Sequence, residues 1–340
     1  MNPRRYLDPV LNAGPSGAGV LALGGGALQF SHCRGLTFDE DDPVESLMSV
    51  DQLTAAEIDA LTGPKLFAGL SCQPGAPLLM GVVNVTPDSF SDGGDYLDHE
   101  SAISRGLTLI REGASIIDVG GESTRPGAAP VTEDEEIRRT EPVIRALSAE
   151  NVLVSVDTRN ARVMTAALAA GAAIVNDVTA LTHDPAALSV VAEAGCSVML
   201  MHMQGQPQTM QQEPYYRHAT ADVYDYLRDR RDVCLEAGLK PENISVDPGI
   251  GFGKTDAHNL LILRQLAMFQ GLGCAVTLGV SRKSFIGRLA DVVTAKDRLP
   301  GSLAAAVAGA ERGAQILRVH DVAETRQALA VWRAICVSQA

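Results

Sequence analysis

Eight short apolar runs, regularly spaced from residue 78 onward, constrain the fold of this chain more than any other feature. The runs are rich in β-branched residues, end in polar residues and are separated by stretches with helical patterns. Near-continuous apolar runs are typical of parallel strands that helices cover on the outside. Eight strand–helix units in about 260 residues match the size of a (β/α)8 barrel. The runs are LLMGVVNV, SIIDVG, VLVSVD, AAIVNDV, SVMLMH, ISVDPG, AVTLGVS and QILRVHDV.

The sequence therefore predicts an α/β fold, a (β/α)8 TIM barrel over residues 78–340. A doubly wound open sheet is the alternative, because periodicity alone does not distinguish a closed sheet from an open one. In a barrel, the polar residues that end the runs would meet at the carboxyl ends of the strands, where barrel active sites lie. These residues are Asn84, Asp118, Asp157, Asn176, His202, Asp247, Ser281 and His320.

Residues 1–77 differ from the barrel region and predict a small, partly ordered N-terminal extension. GPSGAG and LALGGGALQF are rich in glycine, and FDEDDP is an acidic turn. Thr54 and Glu57 form a capping box before a short helix, and Thr132 with Glu135 repeats the pattern in the barrel region. A regulatory arm, a dimer-contacting flap and a barrel lid are all compatible with the extension, and a lid or a purely structural role is favoured.

The overall charge argues against nucleic acid and membrane surfaces as partners. The chain has 41 acidic and 28 basic side chains, a net charge of −13, and a field of that sign repels polyanions.

The N-terminal residues lack the apolar stretch of a signal peptide, and no later run has transmembrane length. The six cysteines show no CxxC or His-spaced pattern, so neither a zinc site nor a disulfide framework is indicated. We therefore expect a cytoplasmic protein whose anionic substrates would need a local cluster of cations.

Four motifs in the barrel region resemble those of dihydropteroate synthase: NVTPDSFSDGG, GESTRPG, DPGIGFGK and SRKS. Each motif is weak alone, but the ordered set is specific and covers residues 78–340. The resemblance implies a transferase of folate biosynthesis that condenses 6-hydroxymethyl-7,8-dihydropterin diphosphate with 4-aminobenzoate. The products would be 7,8-dihydropteroate and diphosphate. The resemblance also implies Mg²⁺ as cofactor, a homodimer and a sulfonamide target.

By this resemblance, five residues would form a pterin pocket. The amino-pyrimidinone edge of a pterin offers several donors and acceptors, so carboxylates and an amide that face it give directional recognition. Asp157, Asn176 and Asp247 match the positions that bind this edge. Met201 and Phe252 would supply apolar walls to the flat ring.

The resemblance also assigns residues to the other parts of the substrates. Lys283 would hydrogen-bond the pterin carbonyl or a ring nitrogen. Ser284 would open a helix whose N-terminus holds the carboxylate of 4-aminobenzoate. Thr124 and Arg125 belong to a second loop, near the diphosphate and the arylamine. Asn84 would ligate the Mg²⁺ that accompanies the diphosphate.

Arg318 and His320 lie two residues apart, so strand alternation places both on one face. The resemblance assigns both of them to the diphosphate. The residues that it implies to be catalytic are Asp157, Arg125, Lys283, Arg318 and His320.

Four further residues are expected to have supporting roles. His202 follows the fifth strand, and Arg282 is a structural or packing cation beside the site. Asp118 and Glu122 are expected to be structural carboxylates that hold the second loop.

Two other functions remain open from the sequence. The pterin-binding domain of a methyltetrahydrofolate-dependent methyltransferase shares the barrel and the pterin-facing Asp and Asn residues, but it does not need SRKS and TRPG. A catalytically silent pterin-binding module could contact partners through residues 1–77. The intact set of cationic and amide residues argues against lost activity and favours the synthase.

Overall fold

The computed structural model describes residues 5–12, 19–85, 94–122, 131–205 and 209–336. In the N-terminal part of these ranges, four strands form an antiparallel sheet whose longest strand pairs with the other three. A short helix and a two-stranded hairpin follow. The elements are β1 (Tyr6–Asn12), β2 (Leu21–Ala22), β3 (Gln29–Asp39), β4 (Asp42–Ser49), α1 (Ala55–Thr62), β5 (Lys65–Phe67) and β6 (Leu70–Cys72).

Eight parallel strands then form a closed barrel, and each of the eight predicted runs contains one of them. The predicted barrel is confirmed, and the open-sheet alternative is wrong. The last strand pairs with the first, through residues such as Ile316 and Leu78, and this pairing closes the sheet. The strands are β7 (Leu78–Asn84), β8 (Ile116–Gly120), β9 (Val154–Asp157), β10 (Ile174–Asp177), β11 (Ser197–Met201), β12 (Ile244–Asp247), β13 (Ala275–Gly279) and β14 (Ile316–Val319).

Helices connect these strands and form the outer layer of the barrel. A 3₁₀ segment, Leu266–Leu272, lies between the seventh helix and β13. No helix in the described ranges combines the length and the apolar character needed to cross a membrane. The barrel helices are α2 (Gly94–Glu112), α3 (Glu133–Ala149), α4 (Ala161–Ala169), α5 (Ala187–Ala194), α6 (Ala219–Glu236), α7 (Asp256–Arg264), α8 (Ser284–Ala290), α9 (Leu299–Glu311) and α10 (Val322–Cys336).

The two predicted capping boxes have different outcomes. At the start of α1, Thr54 accepts a hydrogen bond from the Glu57 amide, and the Glu57 carboxylate accepts one from the Thr54 amide. At the start of α3, the Thr132 hydroxyl accepts from the Glu135 amide at 3.4 Å. The Glu135 carboxylate, however, binds two arginines one turn further along the helix. The second box is therefore wrong in its reciprocal half, because two guanidinium groups replace the backbone amide as donors.

The inside of the barrel is apolar at the amino ends of the strands. Side chains there pack against Phe67 and Cys72 of the hairpin β5–β6, which covers this end. Because side chains alternate along a strand, the residues two positions further on point inward as well and approach the carboxyl ends, the barrel mouth. The buried cluster, called here the barrel floor, consists of Phe67, Cys72, Met80, Ile116, Ile174, Met199, Ala275 and Ile316.

The N-terminal sheet packs against the outer layer of the barrel. The Tyr6 hydroxyl donates to Oδ2 of Asp225 on α6 at 2.8 Å, and its ring meets the Tyr224 ring edge-on at 5.5 Å. Leu7 of β1 and Phe30 of β3 belong to the same buried apolar cluster as the barrel strands and helices. The division of the chain into residues 1–77 and 78–340 as separate domains stays a prediction.

Candidate active site

Arg318 and Asp118 form the centre of a buried polar network at the barrel mouth. Arg318 donates from Nε to Oδ2 of Asp118 and from Nη2 to Oδ2 of Asp157, both at 2.7 Å. The same Asp118 oxygen accepts a hydrogen bond from Nδ2 of Asn176 at 3.1 Å. Side chains from β8, β9, β10 and β14 therefore converge on one point. Asp118 does not hold the second loop as expected, because its side chain lies inside the barrel, fully buried.

The electrostatics of this network differ between its members. Burial raises the pKa of the Asp157 carboxyl to about 7, although the Arg318 guanidinium acts against the shift. Burial acts to lower the pKa of Arg318, but the Asp118 and Asp157 carboxylates outweigh it and raise that pKa. Arg318 therefore stays charged, whereas Asp157 can change its protonation state near neutral pH.

Asp247 ends β12 and is oriented by the backbone that follows it. Its Oδ1 accepts a hydrogen bond from the Gly249 amide at 2.7 Å. Gly249 has φ +67°, and a Cβ there would lie 1.9 Å from the carbonyl oxygen of His202, so only glycine fits. Burial raises the pKa of Asp247. The segment that follows Asp247, residues 249–254, is called here the glycine turn.

Lys283 lies beside the glycine turn, in the loop that follows β13, the strand between β12 and β14. Its Nζ is 4.1 Å from the centroid of the Phe252 ring, a cation–π contact. Burial lowers the pKa of Lys283 to about 8, and the charge of Asp247 opposes this shift. The predicted pterin-binding residues Asp247, Phe252 and Lys283 thus lie in one neighbourhood.

Lys254, the last residue of the DPGIGFGK motif, is a second lysine beside the glycine turn, and the sequence does not predict its burial. Only 1% of its surface is exposed. Its Nζ lies 2.8 Å from Nδ1 of His202 and 3.0 Å from the carbonyl oxygens of Gly249 and Phe252. His202 therefore supports the glycine turn, in agreement with its expected supporting role. Burial lowers the pKa of His202 well below its usual value, and the charge of Lys254 adds to the shift, so the imidazole is neutral.

His320 follows β14 and is held by its neighbours. Its Nδ1 lies 3.0 Å from the Ser281 hydroxyl, and its carbonyl oxygen accepts from Arg105 at 2.9 Å. The Arg282 guanidinium binds the carboxylate of Asp321, with Nε donating to Oδ2 at 3.0 Å. This ion pair joins the loops that follow β13 and β14. Because Arg282 precedes Lys283 and Asp321 follows His320, the pair holds the backbone next to both residues.

The remaining predicted residues are placed as follows. Asn84 ends β7, and its Oδ1 faces the same gap beside Gly120 as the Asp157 carboxylate. Met201 ends β11 with its side chain buried, and Ser284 is the exposed first residue of α8. Thr124 and Arg125 lie outside the described residues.

Glu122 holds the start of the second loop, as expected. Its Oε1 accepts from the Val131 amide at 3.3 Å, and Arg159 forms an ion pair with its carboxylate at 3.2 Å. Glu122 and Val131, the described residues on either side of 123–130, are thereby joined.

Comparison with known proteins places this geometry in a family. A family model described as pterin binding enzyme matches residues 80–320. The dihydropteroate synthase of Escherichia coli K12 is 47% identical over 269 residues, which make up 78% of this chain and 95% of the relative. The chain belongs to the dihydropteroate synthase family of pterin-binding enzymes.

Solved dihydropteroate synthases share the fold as well as the sequence. The enzyme of Xanthomonas albilineans with 4-aminobenzoic acid has a TM-score of 0.74 at 45% identity, covering 80% of this chain and 97% of that one. The complex of the same organism's enzyme with 7,8-dihydropteroate has a TM-score of 0.71 at 43% identity, covering 80% and 98%. The family match begins at residue 80, so the elements from β1 to β6 precede it.

Proposed function

We propose that this chain condenses 6-hydroxymethyl-7,8-dihydropterin diphosphate with 4-aminobenzoate to give 7,8-dihydropteroate and diphosphate. It is a transferase of the dihydropteroate synthase family. One observation carries the assignment: Asp157, Asn176, Asp247 and Lys283 surround a single barrel mouth in a chain that covers 95% of its curated relative.

Asp157, Asn176 and Asp247 bind the amino-pyrimidinone edge of the pterin. Their carboxylate and amide groups are complementary to the donors and acceptors of that edge. The bond from the Gly249 amide orients Asp247, the bond to Asp118 orients Asn176, and the bond from Arg318 orients Asp157. A preorganised edge of this kind favours the bound pterin because little side-chain entropy is lost on binding.

Phe252, Met201 and Lys283 enclose the ring and its carbonyl. Phe252 and Met201 provide apolar surface, and Lys283 donates to the carbonyl or a ring nitrogen. The lowered pKa of Lys283, about 8, still leaves it mainly protonated and able to donate at neutral pH.

Ser284, at the start of α8, holds the carboxylate of 4-aminobenzoate, and the family resemblance assigns Thr124 to substrate binding as well. Arg125, Arg318 and His320 bind the diphosphate. Two of the five donors of Arg318 are bound to Asp118 and Asp157, and within the described residues the others can serve a ligand.

The reaction is an alkyl transfer by displacement. The amino nitrogen of 4-aminobenzoate bonds to the exocyclic carbon of the pterin, the C–O bond breaks, and diphosphate leaves with the electron pair. The nitrogen then releases a proton to solvent. The dihydropterin shares positive charge as the bond loosens, and the Asp157 carboxylate stabilises that charge. Retention of full activity in Asp157→Asn would argue against this cation-stabilising role.

Mg²⁺ is the cofactor that we infer for the diphosphate. Asn84 offers an amide oxygen of the kind that Mg²⁺ accepts, facing the mouth beside Gly120. In the part of the chain that the structure describes, no cluster of three or more His, Cys, Asp or Glu side chains could hold a metal. This donor set fits an ion that arrives with the diphosphate, and bound Mg²⁺ would neutralise charge on that leaving group.

The protein is a cytoplasmic homodimer in this proposal. The homodimer is carried over from the family resemblance, and the cytoplasmic location is the expectation drawn from the sequence itself. Sedimentation equilibrium of the full chain would test the homodimer, and a monomer across the micromolar range would contradict it.

The deciding experiment measures diphosphate release by the purified chain with the pterin diphosphate and Mg²⁺, with and without 4-aminobenzoate. Mass spectrometry of the products identifies dihydropteroate. Release that depends on 4-aminobenzoate and yields dihydropteroate is the expected result. Tight pterin binding without product would instead favour the silent module or the methyltransferase-like domain.

A further inference from the structure

Residues 209–218, called here the linking segment, connect the loop after β11 with α6 and touch the N-terminal sheet on one side. The Arg217 guanidinium lies over the Phe38 ring at 4.0 Å. The His218 ring meets Phe38 edge-on at 5.9 Å, and Arg217 is 3.6 Å from the Asp41 carboxylate. Phe38 lies near the end of β3 and Asp41 in the turn to β4, both outside the family match.

On its other side, the linking segment forms hydrogen bonds with the glycine turn. The Tyr216 hydroxyl donates to the carbonyl oxygen of Gly253 at 2.7 Å, and Gln211 Nε2 donates to that of Gly251 at 2.7 Å. The Tyr216 ring also lies 5.9 Å from the His202 ring. These bonds reach backbone carbonyls, so they fix the path of the turn itself.

The glycine turn depends on such outside support. Gly249, Gly251 and Gly253 all have positive φ, between 62° and 84°, and glycine gives the backbone wide conformational freedom. Phe252, which contacts Lys283, sits between two of them. A shift of the turn would therefore move one wall of the proposed pterin pocket and the ring that contacts Lys283.

We propose that the N-terminal sheet positions the pterin-binding wall through the linking segment, with Phe38 and Tyr216 as positioning residues. The contacts run from Phe38 to Arg217 and His218, from Tyr216 to the glycine turn, and from Phe252 to Lys283. The proposal rests on the proposed function, because the pterin is the ligand whose affinity reports the wall. It gives the extension a role at the side of the mouth, distinct from a lid over it.

The test compares Phe38→Ala with Tyr6→Phe as a matched control. Tyr6→Phe removes another bond between the sheet and α6, to Asp225, without touching the linking segment. Phe38→Ala should raise the KM for the pterin diphosphate about fivefold, the equivalent of one exposed cation–π contact, with kcat within about twofold. The control should leave both constants unchanged. A Phe38→Ala enzyme with wild-type KM would overturn the proposal.

Tyr216→Phe gives a second, independent measurement. It removes the hydroxyl that binds Gly253 and should weaken equilibrium binding of the pterin diphosphate, measured calorimetrically without 4-aminobenzoate. In the double variant with Phe38→Ala, the two losses should be less than additive, because both act through one segment. Strict additivity would contradict the shared route.

The wild-type chain in the same experiments separates the two claims. If the wild type binds and converts the pterin diphosphate and the variants have the same constants as the wild type, only the positioning role is rejected. A wild type that neither binds nor converts the pterin diphosphate would reject the proposed function and the inference with it. Thermal unfolding of each variant confirms that the measured protein is folded.

Discussion

The floor and the mouth of this barrel are built from the same strands and have opposite character. On β14, Ile316 belongs to the floor and Arg318, two residues later, to the mouth. On β8, Ile116 and Asp118 repeat the pattern. Two successive inward-facing positions of one strand thus differ completely, since the first packs in the apolar floor and the second carries a buried charge. The difference teaches that a barrel can keep its stabilising core at one end and place its ionisable groups at the other.

The mouth carries a cost that the floor does not. Burying charged groups is unfavourable unless they are paired and hydrogen-bonded. Arg318, Asp118 and Asp157 satisfy this condition mutually, while Oδ1 of Asp118 has no hydrogen-bond partner among the described residues. Groups held at such expense are candidates for function, and the floor offers an internal reference for testing that idea.

The largest effect is expected from Arg318→Met. The substitution removes a proposed diphosphate ligand and leaves two buried carboxylates without their cation, so kcat/KM should fall about a thousandfold or more. Steady-state diphosphate release measures this. Arg138→Met, which breaks an exposed ion pair on α3, is the control and should have wild-type activity. A loss of kcat/KM below tenfold in Arg318→Met would contradict the functional role proposed for the buried charges at the mouth.

Phe67→Ala should act on the floor alone. Truncation of this fully buried ring should lower the free energy of unfolding by about 3 kcal/mol through lost burial and a new cavity. Denaturant titration measures the stability, and kcat/KM of the folded variant should stay within about twofold. A large loss of activity in folded protein would show that floor and mouth are coupled.

The pH dependence should report Asp157. Because its pKa is raised to about 7, the carboxyl is protonated and neutral below that pH and ionised above it. If the ionised form stabilises the transition state, kcat/KM should fall toward tenfold per pH unit on the acid side of 7. Asp157→Asn should lose activity and this acid limb together. An unchanged acid limb in the variant would assign the titration to another group.

The smallest effect is expected from Ile316→Val, a floor change two residues from Arg318. Loss of one buried methyl group should reduce stability by about 1 kcal/mol. Activity should not change, because the floor side chain does not reach the substrate. A thermal unfolding scan beside a kcat/KM measurement is sufficient. A drop in kcat/KM beyond twofold would mean that packing at the floor sets the position of Arg318.

The strands were predictable because each is a near-continuous apolar run, and closure was not, because periodicity carries no information about the pairing of β14 with β7. Arg318 was predicted at the mouth from its position beside His320. Its bonds to Asp118 and Asp157 join residues 200 and 161 positions apart, which no local pattern reveals. The family resemblance supplied the site residues that composition and spacing alone left ambiguous.

Lys254 and the N-terminal sheet show where local patterns fail. A lysine after Gly-Phe-Gly resembles an exposed loop residue. Its burial is possible because the distant His202 and two carbonyl oxygens of its own turn lie within hydrogen-bond distance of its Nζ. The glycine-rich start of the chain suggested partial order, yet β1 and β3 pair over many residues. The predicted acidic turn at residues 38–43 is confirmed at Glu40 and Asp41, which join β3 to β4, whereas its other four residues pair as the ends of these strands.

The double engagement of Asp118 has a consequence for how such a chain can vary. One of its oxygens serves both Arg318 and Asn176, so a substitution there alters two partners at once. We therefore expect a single substitution at Asp118 to lower activity unless changes on β10 and β14 compensate for it. We expect mutational scanning to show strong epistasis between Asp118 and Arg318, while the floor tolerates independent hydrophobic exchanges.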